Sequence, residues 1–371
     1  MKALQASWTS TEGWRNLPTD STVPDLVLVF GGRAELERPD LMAALGTHAP
    51  QDRIHGCSTG GEIEGAHVND NSVVANFLWF DGSRVSFAFC ELEPDEALGR
   101  KLASRLDHSD LVHVLVLSDG LKVNGSALVR GLRDGLPANV TVSGGLSGDG
   151  PAMKDTIVFH RGEVRRNGVA VIGFHGKLKV GVGSVGGWDS FGPARRITRA
   201  EGSTLYELDG EPALALYKRY LGEHAAGLPS SALLFPLLVT PREGEAPVVR
   251  TVLTVDEATG SMTFAGDVPA GSAAQLMRAN FERIVEAGET AAATARIEAS
   301  TPEFALLISC VGRKWILKQR VEDEVDAVRS ILGEQAVTSG FYSYGELAPC
   351  VSGAPCQLHN QTMTVTTFSE H

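Results

Sequence analysis

The stretch Leu111–Gly120, with the sequence LVHVLVLSDG, carries the pattern that decides the fold. Its nearly continuous apolar run suits a strand that is covered on both faces, and Ser-Asp-Gly is typical of a tight turn. An amphipathic stretch from about Asn124 to Leu136 follows and predicts a helix. The same order of strand, turn and helix occurs at Leu26–Gly46, where LVLVF runs into two glycines. This alternation predicts a layered α/β fold.

Hairpin signals lie between these units. Ser72–Phe80 and Val85–Leu92 are apolar runs separated by Asp81-Gly82, and an Asp-Gly pair between two such runs predicts a β-hairpin. Hairpins combined with strand–helix–strand units predict mixed sheets. The expected fold class is therefore α/β (α+β mixed sheets), with helices covering each sheet.

A domain boundary is predicted at Gly186–Pro193 (GGWDSFGP), because four of its eight residues are Gly or Pro and it has no periodicity. We expect two layered domains, residues 1–190 and 191–371. The total of 371 residues agrees with a prior of ~150 residues per domain. In the second domain, a long helix is expected from about Ser272 to Ala299.

Charge and composition exclude several classes of partner. The chain has 33 Lys and Arg residues against 45 Asp and Glu, which gives a net charge of −12. Such a balance repels phosphate backbones and anionic membranes, so no nucleic acid and no membrane partner is expected. The amino terminus has no secretory pattern, no apolar run reaches the ~20 residues of a membrane span, and five irregularly spaced cysteines suit a reducing compartment. A cytoplasmic location is expected.

An internal similarity links two glycine-rich turns. His55–Glu62 (HGCSTGGE) resembles Val142–Asp149 (VSGGLSGD), and both end on an acidic residue. This similarity predicts two related strand-to-turn units that face one cleft.

Catalytic and metal motifs give little support for an enzyme. Gly181–Gly186 fits the GxGxxG string, but no helix pattern follows it, so it is interpreted as a strand end and linker. Cys57, with His55 two residues earlier on the same strand face, is one candidate nucleophile, and Cys310 is another. We expect no catalytic residue and no metal site. A lone histidine is enough to bind haem, which leaves haem open as a cofactor.

The first candidate ligand site is the turn after the strand near Ile54. Cys57, Ser58, Thr59 and Glu62 lie in this glycine-rich turn, and a backbone anion nest is one structure that such a turn can form. The alternative to a nucleophile site here is a tight turn that is packed by small residues and capped by Glu62, and binding through the backbone amides is compatible with either.

The second candidate site lies at strand ends in the second domain. Arg313 follows the buried run Phe304–Cys310, and a guanidinium there can grip a carboxylate through two parallel hydrogen bonds. Alternate residues of an extended segment share one face, so this site is expected to contain Tyr342, Tyr344 and Glu346, with Asn360 nearby. The alternative is a buried Arg313–Glu346 ion pair that serves only the core.

Eight strings, taken in order, resemble the FIST family, with an amino-terminal FIST unit followed by a carboxyl-terminal one. They are GCSTGGEI (56–63), GDG (148–150), YELDGEPALALY (206–217), FP (235–236), VVR (248–250), ISCVGR (308–313), GFYSYGEL (340–347) and LHNQTMTV (358–365). One departure is Gln361, where many members carry a second His after the Asn, which weakens a haem interpretation based on that position.

The resemblance implies a prokaryotic sensor that binds a small polar ligand, an amino acid or a similar molecule, and is not an enzyme. It also implies a separate signalling partner such as a histidine kinase or a cyclic-di-GMP enzyme, since no output domain is expected after residue 368. A haem protein that senses nitric oxide is the alternative that the same resemblance offers. The sequence leaves the oligomeric state undetermined.

Overall fold

Three pairs of parallel strands organise the computed structural model, which describes residues 1–241, 246–297, 300–351 and 353–370. Leu26–Gly31 pairs with Ile54–Ser58, Leu111–Ser118 with Thr141–Leu146, and Phe304–Cys310 with Val337–Ser343. Parallel neighbours need a crossover connection, and helices supply it in all three pairs. Each pair is the centre of one repeated unit.

The three units follow one another along the chain. Unit one contains β1 (Lys2–Thr9), β2 (Gly13–Arg15), β3 (Leu26–Gly31), α1 (Arg33–Leu36), α2 (Pro39–Gly46), β4 (Ile54–Ser58), β5 (Glu62–Glu64), β6 (His67–Asn69) and β7 (Val73–Trp79). Unit two contains β8 (Arg84–Glu91), α3 (Asp95–Ser104), β9 (Leu111–Ser118), α4 (Gly125–Gly135), β10 (Thr141–Leu146), β11 (Val158–His160), β12 (Glu163–Arg165) and β13 (Gly168–His175).

Unit three is interrupted by an inserted domain. The unit begins with β14 (Lys179–Val185), and the inserted domain contains β15 (Asp189–Glu201), β16 (Thr204–Leu208), β17 (Glu211–Pro212), α5 (Ala213–Leu221), β18 (Leu237–Thr240), β19 (Val248–Arg250), β20 (Val252–Asp256), β21 (Ser261–Phe264) and β22 (Ala273–Arg278). The unit resumes with α6 (Phe281–Thr294), β23 (Phe304–Cys310), α7 (Val311–Leu317), α8 (Val321–Leu332), β24 (Val337–Ser343), β25 (Gly345–Pro349), β26 (Cys356–His359) and β27 (Met363–Ser369).

Each unit gives one hairpin to a neighbour's sheet. The sheet of unit one has the order β12-β11-β4-β3-β7-β1-β2, that of unit two β26-β25-β10-β9-β13-β8, and that of unit three β6-β5-β24-β23-β27-β14. Hairpin β11–β12 of unit two therefore completes sheet one, β25–β26 of unit three completes sheet two, and β5–β6 of unit one completes sheet three. The exchange is cyclic, so the three units have an approximate threefold relation.

The central core lies where the inner faces of the three sheets meet. Leu28 and Phe30 of β3, Leu115 of β9 and Leu306 of β23 belong to one buried cluster, and the rings of Phe30 and Phe341 stack at 4.7 Å. The intervening residues of these strands point outward to the helices, as the two-residue period of a strand requires. Strands covered on both faces explain the nearly continuous apolar runs in the sequence.

The predicted fold class is confirmed, since helices cover mixed sheets. The helix predicted at 124–136 occurs at Gly125–Gly135, and Gly181–Val185 lies in β14, as its interpretation as a strand end implies. The predicted division between residues 190 and 191 falls inside β15, and strands from both predicted domains share sheets two and three. Among the helices of the described chain, none has the length and apolar character needed to cross a bilayer.

The hairpin predicted across Asp81-Gly82 is wrong. β7 lies in sheet one and β8 in sheet two. Both edges of β7 are occupied, because β1 pairs with one and β3 with the other. No edge is left for β8, which pairs with β13 instead.

Candidate functional site

Three strand-to-turn segments meet at the centre of the molecule. The Gly60 amide donates to the Tyr342 carbonyl at 2.7 Å, the Gly148 amide to Ser58 at 2.9 Å, and the Tyr344 amide to Leu146 at 3.0 Å. These bonds close a ring around the approximate threefold relation, and we call the three segments the turn ring (residues 58–62, 146–150 and 342–346). The first two glycine-rich turns are related, as predicted, and a third follows the same pattern, but they bond to one another in a ring instead of facing a cleft.

A glycine precedes each turn at the same place in its strand pair. A Cβ atom on Gly56, Gly144 or Gly340 would lie 1.8, 2.1 or 1.8 Å from the carbonyl oxygen of the neighbouring parallel strand. No side chain fits at such distances. In the structure Gly56 is equivalent to Gly144. The alignment of HGCSTGGE with VSGGLSGD in the sequence placed Gly56 against Ser143, so it was shifted by one residue.

The first predicted site is buried, and all of it except Cys57 belongs to the turn ring. Cys57, Ser58, Thr59 and Glu62 are each at most 3% exposed. The Glu62 carboxylate accepts hydrogen bonds from the hydroxyls of Thr59 and Ser72 and from the Ser72 amide. Burial raises the pKa of Glu62 to about 7. Of these four side chains, Thr59 and Glu62 bind each other, whereas the Ser58 hydroxyl bonds the backbone of Ile157 and Cys57 packs in the apolar core.

Cys57 and its neighbouring histidine do not have the properties of a nucleophile and its base. The Cys57 side chain lies in the central apolar cluster, and burial raises the pKa of its thiol. The His55 ring stacks on Phe87 at 4.0 Å, and burial lowers its pKa to about 3.

The second predicted site is divided by the change of sheet at Tyr344. Tyr342 lies near the end of β24, and its hydroxyl donates to Glu324. The hydroxyl of Tyr344, which follows β24, donates to Asp149. Glu346 lies in β25 and accepts hydrogen bonds from Ser343 and Thr362. The expectation of one shared face is wrong, because the chain leaves one sheet and enters another between these residues.

Arg313 is paired with Glu324, so the alternative of an Arg313–Glu346 ion pair is wrong. Its guanidinium donates to Glu324 at 2.9 Å and to the carbonyl oxygens of Gly186, Ile284 and Gln361, and a second nitrogen lies 2.8 Å from the Glu324 carboxylate. Both side chains of the ion pair have no exposed surface. No donor of Arg313 is left for a ligand carboxylate.

Glu62 and Glu346 occupy equivalent places in units one and three. In each case a Ser or Thr three residues earlier donates a hydroxyl, and a second Ser or Thr gives both its hydroxyl and its amide. Burial raises the pKa of Glu346 to about 8. Unit two has Gly150 at this place, so it has no such carboxylate.

A cavity of about 500 Å³ lies beside the turn ring, between the units and the inserted domain. We call it the interdomain cavity. Turns at the carboxyl ends of β9 and β23 line one side, where ligands of layered α/β folds commonly bind, and the inserted domain lines the other. Its lining residues include Leu121, Lys122, Met153, Thr251, Leu253, Phe264, Cys310, Val311, Gly312, Trp315 and Tyr344.

Exposed apolar side chains are concentrated at this cavity. Leu121, Met153 and Leu253 are 36, 42 and 39% exposed and all line it, and they are three of the six large apolar side chains exposed in the described chain. Phe264 and Trp315 extend the apolar lining. An apolar recess with a few polar groups is typical of a small-molecule site.

The polar groups of the cavity are few. Lys122 is the one cationic lining residue within the described ranges, and its ammonium group contacts Asn167. Thr251 is 6% exposed, and its hydroxyl has no hydrogen-bond partner among the described residues. Asn360, a predicted site residue, lies behind Thr251 and accepts a hydrogen bond from its amide. Burial raises the pKa of the Cys310 thiol, which is therefore neutral at pH 7.

A second polar side chain without a hydrogen-bond partner among the described residues, that of Gln361, lies behind the cavity wall. Gln361 is fully buried, and neither polar atom of its side-chain amide has a partner in the part of the chain described. Gly312 separates it from the cavity, and a Cβ atom there would lie 2.7 Å from the Gln361 nitrogen.

Sequence reasoning identified Tyr344 in the cavity lining and missed most other lining residues. The first-half residues follow the Ser118-Asp119-Gly120 turn, which was visible as a strand end. Thr251, Leu253 and Phe264 come from the inserted domain and had no such signal. No cluster of three or more His, Cys, Asp or Glu side chains suited to a metal ion occurs among the described residues.

Comparison with known proteins identifies two family models along this chain. A FIST N domain matches residues 25–211, and a FIST C domain matches residues 213–349. An uncharacterized protein of Methanocaldococcus jannaschii is 29% identical over 191 residues, which cover 48% of this chain and 36% of that protein. The chain therefore matches little more than a third of that relative's length.

Proposed function

Because the chain belongs to the FIST family, whose domains are recognised as sensors in signal transduction, we propose that it senses a small molecule in the interdomain cavity. The observation that carries this proposal is the concentration of exposed apolar side chains at one recess. The family is sensory and non-catalytic, and the buried, neutral thiols of Cys57 and Cys310 agree with a binding role.

The lining favours a ligand with an apolar body and one anionic or polar end. Lys122 supplies a positive charge, and the Thr251 hydroxyl supplies a hydrogen bond that no described residue uses. The described lining residues include no carboxylate to bind an ammonium group. A small carboxylic acid therefore fits better than the zwitterion of an amino acid.

The relay from the cavity begins at α7. Val311, Gly312 and Trp315 of this helix line the cavity. On its other side, Arg313 binds Glu324 of α8 and the carbonyl of Ile284 in α6. A ligand that shifts α7 thus acts on both helices through one side chain. We expect a separate protein, such as a histidine kinase or a cyclic-di-GMP enzyme, to read this change.

Haem sensing is the alternative, and the cavity does not fit it well. Haem iron needs an axial His, thiolate, Tyr or Met. The described lining includes no His, the Cys310 thiol is protonated, and the Tyr344 hydroxyl is bonded to Asp149. Met153 is therefore the remaining residue in the described lining that could bind haem iron.

A thermal-shift panel tests the ligand class. Phenylacetate, phenylalanine, short aliphatic carboxylates and hemin are added separately, because a ligand at ~100 times its dissociation constant adds about 2.7 kcal/mol of stability. We expect a carboxylate to raise the melting temperature more than the matching amino acid. The response should be lost in Leu253→Gln and kept in Val351→Gln, which changes an exposed apolar residue outside the cavity.

Two outcomes would contradict the proposal. The first is an equal loss of response in both variants, since Val351 is 60% exposed and lies outside the lining. The second is a Soret band with one equivalent of hemin that disappears in Met153→Ala, which would assign the cavity to haem.

A further inference from the structure

A second recess, of about 600 Å³, shares no lining residue with the interdomain cavity. Strand β8, helix α3 and the β11–β12 hairpin form it. We call it the basic groove, defined by Phe87, Phe89, Lys101, Arg105, His160, Arg161 and Arg165, with Glu91 and Glu93 at its rim. The groove exists because unit two's hairpin is placed in sheet one, beside strand β8 of sheet two.

Positive charge dominates the groove although the chain as a whole is acidic. Four cationic side chains line it against two carboxylates, in a protein whose net charge is −12. Glu93 is paired with Lys101, and Arg165 is paired with Glu163. Within the described chain, the Arg161 guanidinium has neither a hydrogen-bond nor an ion-pair partner. The groove therefore has an excess of donors that suit an anion.

Flat rings lie beside these donors. The rings of Phe89 and His160 stack with centroids 5.5 Å apart and planes at 27°, and the Arg165 guanidinium lies 5.7 Å from the Phe89 centroid. His160 Nδ1 and Arg165 Nε are buried and have no partner among the described residues. Burial and the two arginines lower the pKa of His160 to about 4, so its ring is neutral at pH 7.

We propose that the basic groove binds a small molecule in which a flat ring carries a phosphate group, the chemistry of a nucleotide. Guanidinium groups bind phosphate through paired hydrogen bonds, and Arg161 is free to do so. The ring of the ligand stacks on Phe89 or His160, where offset stacking is favourable. This site does not depend on the function proposed for the interdomain cavity.

Calorimetric titration of the full chain with adenosine monophosphate, adenosine and inorganic phosphate tests the proposal. We expect adenosine monophosphate to bind at least about tenfold more tightly than either fragment, because only it engages both the rings and the arginines. Its affinity should fall as salt is raised, since exposed charges are screened. Arg161→Gln should weaken it about tenfold, whereas Arg219→Gln, an exposed change in the inserted domain, should leave it unchanged.

Three results would overturn the proposal. Equal affinity for adenosine would remove the role of the phosphate, and unchanged affinity in Arg161→Gln would place the ligand elsewhere. A Soret band with one equivalent of hemin that is lost in His160→Ala would assign the groove to a porphyrin. Loss of binding in Leu253→Gln would place the nucleotide in the interdomain cavity instead.

Discussion

The turn ring and the interdomain cavity are neighbours built from the same strand ends, yet their side chains behave oppositely. In the ring, Thr59, Glu62 and Glu346 are buried, and each carboxylate accepts a hydrogen bond from a hydroxyl of its own segment. In the cavity, the Thr251 hydroxyl has no partner in the described chain, and Leu253 is 39% exposed. Polar residues that satisfy each other hold a fold together. The proposed ligand site is instead lined by polar and apolar groups that lack partners.

Substitution of Arg313 is expected to give the largest loss of stability among the tests of this contrast. Arg313→Ala leaves the Glu324 carboxylate buried without its partner, and breaking a buried ion pair costs roughly 3–5 kcal/mol. We expect this loss in urea unfolding. Arg313→Met combined with Glu324→Leu should recover part of it, because both charges are then removed. A loss below about 1 kcal/mol would instead fit an arginine that is solvated in a pocket.

The buried carboxyl of Glu346 should make stability depend on pH. Its pKa is about 8 in the folded chain against 4.5 when exposed, so the folded state holds a proton that the unfolded state releases. The contribution of this carboxyl to the free energy of unfolding is complete below pH 4.5. It is lost as the pH rises through about 8, by up to ~1.4 kcal/mol per pH unit.

Unfolding measured between pH 6.5 and 8 isolates this effect. The buried histidines make the free energy of unfolding rise with pH, which is the opposite direction. Because their pKa values are lowered from 6.5 in the folded chain, this effect occurs mainly below pH 6.5. Glu346→Gln should flatten the slope, and Glu62→Gln should flatten it mainly below pH 7. A wild-type slope that both variants retain would show that these carboxyls are ionised in the folded chain.

Two threonines give the smallest and most closely matched comparison. Thr59→Val removes a hydroxyl that donates to Glu62 and leaves a buried acceptor unsatisfied, which costs about 1–3 kcal/mol. Thr251→Val removes a hydroxyl without a partner in the described chain, so stability should be unchanged or slightly higher. Urea unfolding of both variants measures the difference. Equal losses would contradict the distinction between ring and cavity.

Sequence reasoning predicted local elements well where periodicity is strong. LVHVLVL at 111–117 lies in β9, and Phe304–Cys310 has the bounds of β23. Between about Ser272 and Ala299, however, the chain forms β22 (Ala273–Arg278) and then α6 (Phe281–Thr294), with 298 and 299 outside the described residues. The segment AAQLMR favours helix locally, but pairing of β22 with β15 and β18 overrides that preference.

The candidate site was harder to predict because its residues are assembled by topology. No local pattern indicates that the chain changes sheet at Tyr344, so Tyr342 and Glu346 were expected on one face. Arg313 was recognised as an arginine at a strand end, but its partner, Glu324, is one of several acids in α8. The cavity depends on where the inserted domain packs, which no local pattern encodes.

The cyclic exchange of hairpins has a consequence for how the molecule assembles in time. Glu62 of β5 pairs with Phe341 of β24, so sheet three contains strands from near both ends of the described chain. In a nascent chain, β5 cannot pair with β24 until residues 337–343 have left the ribosome. Such distant pairings give a high contact order, for which slow folding is expected. The early hairpin β5–β6 would meanwhile be an unpaired edge, a natural target for chaperones and for aggregation during synthesis.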